Sequence, residues 1–135
     1  MERLHAPGFS LPELLITLAI VAILATITVP SFTGVLARAR RGDAMSALLR
    51  IQLAQERWRS RHLRYADSLD ALGLSPKTLG EGHYQLSVES AGHSDFLAIA
   101  RPGGVQRRDA CGTFAVRAGG PVHGGGYADA ECWRR

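Results

Sequence analysis

Charged side chains are almost absent from the start of the chain. Phe9 to Phe32 comprise 24 residues, and Glu13 is the one charged residue among them. As an α-helix this segment would be about 36 Å long, which exceeds the roughly 30 Å hydrocarbon core of a bilayer. The near-absence of charge therefore predicts a helix that can cross a membrane.

The sequence also lacks the patterns that catalysis or metal binding requires. Serine, histidine and aspartate are present, but none lies in a nucleophile-elbow motif. The histidines show no metal-ligand spacing, and the glycines at 124–126 lack the lysine and following helix of a phosphate loop. We therefore expect a protein that is not an enzyme and that needs neither metal nor cofactor.

Cysteine is scarce and confined to the C-terminal part of the chain, at Cys111 and Cys132. An even number of cysteines suits one disulfide in an oxidising compartment, and two free thiols are the alternative. A disulfide between Cys111 and Cys132 would stabilise the folded protein by roughly 3 kcal/mol in the chain-entropy model.

Positive charge is unevenly placed in a chain whose formal net charge is +4. Residues 33–64 contain eight arginines against two acidic residues, whereas residues 65–135 hold seven basic and eight acidic residues. Arg38, Arg40 and Arg41 follow the apolar segment, where the positive-inside rule would place them in the cytoplasm. The cysteines favour the opposite side, and we expect the domain to lie outside the cytoplasm.

Helical periodicity continues beyond the apolar segment, from Thr33 to Leu63. Pro30 is expected to kink or end the apolar helix just before it. Apolar residues then recur every three or four positions and predict a helix face that packs on a sheet: Ala44, Ala47, Leu48, Ile51, Ala54 and Trp58. Trp58 is expected in the core. The arginines on the other side indicate a solvated face, with a nucleic-acid track as the alternative.

Strand patterns occupy the remainder of the chain. We predict strands at His83–Glu89, Asp95–Arg101 and Cys111–Arg117, the second of them central because it is apolar on both faces. Between helix and strands, Asp67 or Ser68 starts a short turn that Gly73 closes. The expected fold is α+β, with a long N-terminal helix packed on a three- to four-stranded antiparallel sheet.

The stretch Gly8-Phe9-Ser10-Leu11-Pro12-Glu13-Leu14-Leu15 resembles the processing and methylation motif of type IV pilins and pseudopilins. The resemblance implies that a prepilin peptidase cuts between Gly8 and Phe9 and that Phe9 is then methylated. It also implies that Glu13 sets the axial register between subunits. A neighbouring subunit's N-terminal ammonium would neutralise this carboxylate in a bundle of apolar helices.

The C-terminal part, from Cys111-Gly112-Thr113-Phe114 to Cys132-Trp133, resembles PilE-type minor pilins and ComP-type DNA-uptake pilins, in which a disulfide closes a C-terminal loop. The resemblance implies four regions, namely a cytoplasmic leader at 1–8, a membrane and filament-core helix at 9–32, an amphipathic helix half at 33–64, and a globular head at 65–135. It places the chain in the inner membrane of a Gram-negative bacterium, with a periplasmic head, and then in a surface pilus.

The expected function is that of a minor pilin, whose partners are the prepilin peptidase, the inner membrane and other pilin subunits. One alternative is a DNA-binding pilin of a competence pilus, for which the candidate contacts are Arg101, Arg107, Arg108, Arg117, Arg134 and Arg135. A second alternative is a type II secretion pseudopilin, against which the two cysteines and Trp133 argue. An ordinary single-span membrane protein would require that Gly8–Phe9 is never cut.

Overall fold

The structure, a computed structural model, describes residues 8–79 and 82–134. A long helix comes first, and short elements follow it: α1 Leu11–Arg59, α2 Pro76–Leu79, β1 Tyr84–Ala91, β2 Phe96–Pro102, β3 Phe114–Arg117 and β4 Gly120–Pro121. Two 3₁₀ helices lie at Gly104–Arg108 and Ala130–Trp133. The chain divides into two compact units at Leu36 and Ala37.

The first unit, of which residues 8–36 are described, consists of the first part of α1. By length and composition α1 is long and apolar enough to cross a membrane, and its most apolar window is not buried within the chain. The hydroxyls of Thr17, Thr26 and Thr28 donate hydrogen bonds back to helix carbonyls, so these polar groups are satisfied inside the helix. The helix does not end at Pro30, and the predicted kink stays a prediction.

The second unit is built on the predicted stripe of α1. Leu48 and Ile51 are completely buried, and Ala44 and Ala47 almost completely. Together they form one core with Phe114, Val116 and other buried residues of the sheet. Full burial of a leucine or isoleucine side chain stabilises by roughly 1.5–3 kcal/mol each. The small alanines allow the helix to approach the strands closely.

The sheet is antiparallel, with its strands in chain order from β1 to β4. The three predicted strands are confirmed, although the third begins at Phe114 rather than at Cys111, and β4 completes a four-stranded sheet. In β2, Ala98 and Ala100 face the helix while Ile99 is buried on the other face. The sequence predicted this two-sided burial, which fits a central strand.

The helix ends at Arg59, short of the predicted Leu63. The N–H groups of Arg61 and His62 donate to the Trp58 carbonyl, which tightens the last turn and ends the regular ladder. The placement of Trp58 in the core was wrong, because its side chain is only half-buried and lies outside the core cluster. It stacks on His62, with 3.8 Å between ring centroids and 10° between ring planes.

The turn between helix and sheet is confirmed in detail. The Ser68 Oγ accepts a hydrogen bond from the Ala71 N–H and starts the turn. At its end the Gly73 N–H bonds the Asp70 carbonyl and the Leu74 N–H bonds the Leu69 carbonyl, which is the Schellman pattern. That pattern needs a positive φ, and Gly73 has φ of 69°.

Gln55 fixes the start of this connection to the helix. Its side chain is completely buried, and its amide makes two hydrogen bonds of 2.8 Å with the backbone of Ala66, donating from Nε2 to the carbonyl and accepting at Oε1 from the N–H. Since Ala66 is itself buried, its peptide groups depend on Gln55. The adjacent Tyr65 hydroxyl donates to Glu56 and accepts from Arg59.

A second polar cluster joins the start of the unit to the C-terminal loop. The Arg41 guanidinium donates two hydrogen bonds, of 2.6 and 2.5 Å, to the two carboxylate oxygens of Asp109. The Cys111 N–H and the Gln106 amide also donate to Asp109, and Gln106 donates further to the Ala37 carbonyl. Arg41 is therefore paired with an acidic group of its own domain. It is one of the three arginines that the positive-inside rule would place in the cytoplasm, and this ion pair gives it a structural role instead.

The Asp109 carboxyl is nearly inaccessible, with 2% of its side chain exposed. Burial alone would raise its pKa, but the hydrogen bonds from Arg41 and Cys111 and the charge of Arg41 outweigh burial and lower that pKa below its ordinary value. The Arg41 hydrogen bond correspondingly raises the pKa of the guanidinium.

The cysteines form one disulfide, Cys111–Cys132, with 5.7 Å between Cα atoms. It joins Cys111, three residues before β3, to the second 3₁₀ helix. Trp133 next to it packs edge-on against Phe114, with 5.3 Å between ring centroids. The disulfide loop is therefore attached to the core by an aromatic contact as well as by the bond.

We expect Gln55→Leu to lower the free energy of unfolding by roughly 2–3 kcal/mol, because it leaves the buried N–H and carbonyl of Ala66 without partners. The matched control is Gln52→Leu, since the Gln52 amide bonds two carbonyls at 3.2 Å in a more exposed place. Urea unfolding of the full chain in detergent micelles measures both variants. Equal losses would contradict the role of Gln55.

We expect Asp109→Asn to lower the free energy of unfolding by about 2 kcal/mol at neutral pH, because it removes the counter-charge of Arg41. Because the folded-state pKa of Asp109 is lowered, its stabilisation is present above the unfolded pKa of about 3.9. It is lost as the pH falls further, through the folded pKa.

Unfolding of the wild type and of Asp109→Asn at a series of pH values from neutral to about pH 2.5 measures this linkage. The wild type should lose more stability than Asp109→Asn over the acidic part of the series. Asp129→Asn, at an exposed position, is the control and should follow the wild type. Parallel curves for wild type and Asp109→Asn would contradict the assignment.

Candidate assembly and nucleic-acid-binding residues

The residues of the expected cleavage site lie just before α1. Gly8 and Phe9 are exposed, and 83% of Phe9 is accessible. The peptide between them has no regular secondary structure, whereas the helix begins two residues later at Leu11. The structure thus presents this bond in an accessible segment without regular secondary structure. The rest of the expected leader, residues 1–7, lies outside the described residues.

Glu13 lies in the first turn of α1, where it completes a capping box with Ser10. The Ser10 N–H donates to Glu13 Oε2 at 3.5 Å, and the Glu13 N–H donates to Ser10 Oγ at 3.4 Å. Both distances are at the long limit of hydrogen bonding, and Glu13 is exposed. A carboxylate at a helix N-terminus is also stabilised by the helix dipole.

The large apolar side chains of this unit are exposed rather than buried. Between Leu14 and Phe32, eleven large apolar residues are each more than half exposed: Leu14, Leu15, Ile16, Leu18, Ile20, Val21, Ile23, Leu24, Ile27, Val29 and Phe32. Their exposure extends around the whole helix rather than along one stripe. A helix that is apolar on all sides requires an apolar environment, either lipid or other helices.

Three of the six candidate DNA-contact arginines are engaged in ion pairs, each with a shortest nitrogen–oxygen distance of 2.8 Å: Arg101 with Glu89, Arg117 with Asp95 and Arg134 with Glu131. Hydrogen bonds from Ser87 and from Arg101 lower the pKa of Glu89. Burial would raise the pKa of Asp95, but hydrogen bonds from Arg117 and from the Ala118 and Phe96 N–H groups lower it overall. The field of these arginines is therefore partly cancelled.

Arg107 and Arg108 differ from these three. Both are exposed on the 3₁₀ helix Gly104–Arg108, and within residues 8–79 and 82–134 no carboxylate oxygen lies within 4.0 Å of either guanidinium. Asp109, the next residue, is turned inward to Arg41. The five candidate arginines that the structure describes thus differ in whether a carboxylate pairs with them. Arg135 lies outside the described residues.

The sequence analysis missed the cleft beside the end of α1. It has a volume of about 680 Å³ and lies between the last turns of the helix and the turn closed by Gly73. Three exposed arginines, Arg50, Arg57 and Arg61, line it together with the stacked rings of Trp58 and His62. Their spacing of seven and four residues predicts one helix face, a signal that was present in the sequence.

In the described part of the chain, no group of three or more histidine, cysteine, aspartate or glutamate residues is arranged to hold a metal ion. The structure thus offers two candidate sites. One is the apolar helix with its exposed N-terminal segment, and the other is the set of surface arginines with or without carboxylate partners.

Two family models match consecutive parts of the chain. The "Prokaryotic N-terminal methylation motif" matches residues 4–29, and "Type IV minor pilin ComP, DNA uptake sequence receptor" matches residues 30–115. The second match covers most of the compact domain, up to the start of β3.

A curated relative and a solved structure agree with these matches. The type IV major pilin protein PilA of Myxococcus xanthus (strain DK1622) is 35% identical over 81 residues, which are 60% of this chain and 37% of that protein. The chain thus spans little more than a third of the length of this relative.

The structure of a type IV pilin from Shewanella oneidensis superposes with a TM-score of 0.56 at 27% sequence identity, covering 73% of this chain and 99% of that one. The long helix, the four-stranded antiparallel sheet and the C-terminal disulfide together have the architecture expected of this family. The chain belongs to the type IV pilin family, within the group described as type IV minor pilin ComP, DNA uptake sequence receptor.

Proposed function

We propose that this chain is a minor pilin, which a prepilin peptidase cuts between Gly8 and Phe9 and which then enters or primes a type IV pilus. The observation that carries the proposal is the first unit of the structure. An exposed Gly8–Phe9 segment leads into a capped helix whose large apolar side chains are exposed on all sides. Such a helix serves first as a membrane span and then as the core of a bundle.

Glu13 supports a role in assembly. Its hydrogen bonds with Ser10 are long, so its carboxylate can still accept from a stronger donor. Cleavage before Phe9 creates an ammonium, and the ammonium of a neighbouring subunit is such a donor. The pair would select one axial register, because any other register leaves an unpaired charge among apolar side chains.

The disulfide supports an extracytoplasmic position of the compact domain. Bonds such as Cys111–Cys132 form and persist in the periplasm or outside the cell. The domain then lies in the periplasm before assembly and on the pilus surface afterwards. The disulfide loop also favours a pilin over a type II secretion pseudopilin.

The family that matches residues 30–115 is described as a minor pilin, which favours a minor subunit, although the PilA relative is described as a major pilin. The amount in the filament distinguishes the two. A minor pilin is present at low abundance in sheared filaments, whereas a major pilin forms most of their mass.

We expect Gly8→Val to block cleavage, since a branched side chain at the cut bond obstructs the peptidase, and to leave the protein uncut in the membrane. Glu13→Ala should be processed normally but should enter filaments at least about tenfold less, because the register pair is lost. Intact mass of the protein in the sheared-filament and membrane fractions measures both outcomes.

Thr17→Ala is the matched control, since it changes an exposed polar residue of the same helix whose hydroxyl bonds only within the helix. It should be processed and incorporated like the wild type. An uncut mass for the wild-type protein would overturn the proposal, and normal incorporation of Glu13→Ala would overturn the register pair alone.

A second candidate function, DNA binding by the assembled pilin, rests on a specific observation. Arg107 and Arg108 are exposed, adjacent and without carboxylate partners among the described residues. Guanidinium groups of this kind bind phosphates and release counterions from DNA. The family model adds support, because its description names a DNA uptake sequence receptor.

We expect the double variant Arg107→Gln with Arg108→Gln to weaken duplex DNA binding and to reduce the slope of log affinity against log salt by about 1.8. Fluorescence anisotropy of a labelled duplex, titrated with the full chain in detergent micelles at several salt concentrations, measures this slope. The control Arg101→Gln should change the slope much less, because Arg101 is paired with Glu89. An unchanged slope in the double variant would exclude these two residues as the contacts.

A further inference from the structure

The cleft at the end of α1 has cations and aromatic rings together along one side of an open space. Arg50, Arg57 and Arg61 lie on the helix side, and Leu72, Gly73 and Leu74 form the facing wall. Over seven residues the helix rises about 10 Å, so Arg50 and Arg57 are spread along the cleft rather than clustered. This arrangement is suited to an extended anion more than to a single ion.

None of these arginines forms an ion pair with a carboxylate of the described residues. Within residues 8–79 and 82–134, no carboxylate oxygen lies within 4.0 Å of the guanidinium of Arg50, Arg57 or Arg61. Glu56, on the same turn of the helix as Arg57, accepts a hydrogen bond from the Tyr65 hydroxyl. Asp70, which precedes the wall residues in the chain, is exposed and makes no ion pair among the described residues.

The aromatic part of the cleft has a free end. One face of the His62 ring lies on the Trp58 indole, and His62 Nδ1 is 3.0 Å from the Trp58 carbonyl oxygen. His62 is nevertheless exposed, so the contact with Trp58 does not cover the whole residue. A third planar ring can therefore continue the stack. Bases of single-stranded nucleic acids stack on aromatic side chains in this way.

We propose that this cleft binds single-stranded nucleic acid, with phosphates on Arg50, Arg57 and Arg61 and one base stacked on His62. The three cations supply the electrostatic groove and the Trp58–His62 stack supplies the platform, the two parts that single-strand binding combines. An anionic lipid surface would use the cations but would leave the stack without a role. The inference refines the DNA-binding candidate above and is separate from the Arg107 and Arg108 surface.

Binding of the full chain in detergent micelles to a labelled 12-nucleotide single strand of mixed sequence, and to the corresponding duplex, tests the proposal by anisotropy at about 50 mM salt and above. The variants are Arg57→Gln with Arg61→Gln, and His62→Ala. All three positions are exposed, so the substitutions leave the core intact, and melting curves verify this. The arginine pair replaced by lysines keeps the charge and serves as a rescue.

The glutamine pair should weaken single-strand binding at least about tenfold and reduce the salt slope by about 1.4. His62→Ala should weaken single-strand binding about fivefold or more while leaving duplex affinity and the salt slope unchanged, because stacking is not electrostatic. The lysine pair should retain most of the affinity. Arg107→Gln with Arg108→Gln should leave single-strand binding within about twofold of the wild type, because neither residue lines the cleft.

Unchanged single-strand affinity in the glutamine pair would overturn the proposal, as would equal losses for strand and duplex in His62→Ala. Binding of anionic phosphatidylglycerol vesicles that depends on Arg57 and Arg61, without single-strand binding, would assign the cleft to lipid instead. These results do not test filament incorporation. Nucleic-acid binding by the cleft can therefore be disproved while the pilin function stands. Duplex binding lost only with Arg107 and Arg108 would keep the DNA-receptor candidate and reject the cleft.

Discussion

The packing of one helix stripe on the sheet is the interaction on which the compact domain depends. Leu48 and Ile51 of α1 are completely buried in one core with Phe114 and Val116 of β3. The strands are short, and a small sheet requires a second layer over its apolar face to be stable. Because that layer is the second half of α1, the helix that carries the apolar N-terminal segment is also the main structural support of the domain.

Two sets of polar contacts also attach loops of the domain to α1. Near the start of the domain, Arg41 holds Asp109 and with it the segment that leads to Cys111. Near the end of the helix, Gln55 holds the backbone of Ala66, where the connection to the sheet begins. Gln55 is completely buried and Arg41 partly buried on the helix, so the loops keep fixed positions relative to it. Binding residues on such loops are supported by a rigid scaffold.

The arginines fall into two classes that the composition does not distinguish. Arg41, Arg101, Arg117 and Arg134 are held by carboxylates, whereas Arg107, Arg108 and the cleft arginines are exposed without such partners among the described residues. A near-neutral domain can therefore still carry local positive surfaces. The field at a surface depends on where the acidic groups point, and the net charge does not report that.

Some properties of this protein follow from the sequence by itself, because they depend on local composition and periodicity. The apolar segment, the stripe from Ala44 to Ile51, the turn closed by Gly73 and the central strand β2 are all of this kind. Tertiary structure alone decided the partners of Gln55 and Asp109, the ion pairs of Arg101 and Arg117, and the place of Trp58 in a cleft rather than the core. These contacts join residues on separate elements, 68 positions apart for Arg41 and Asp109, and no local pattern encodes which distant groups meet.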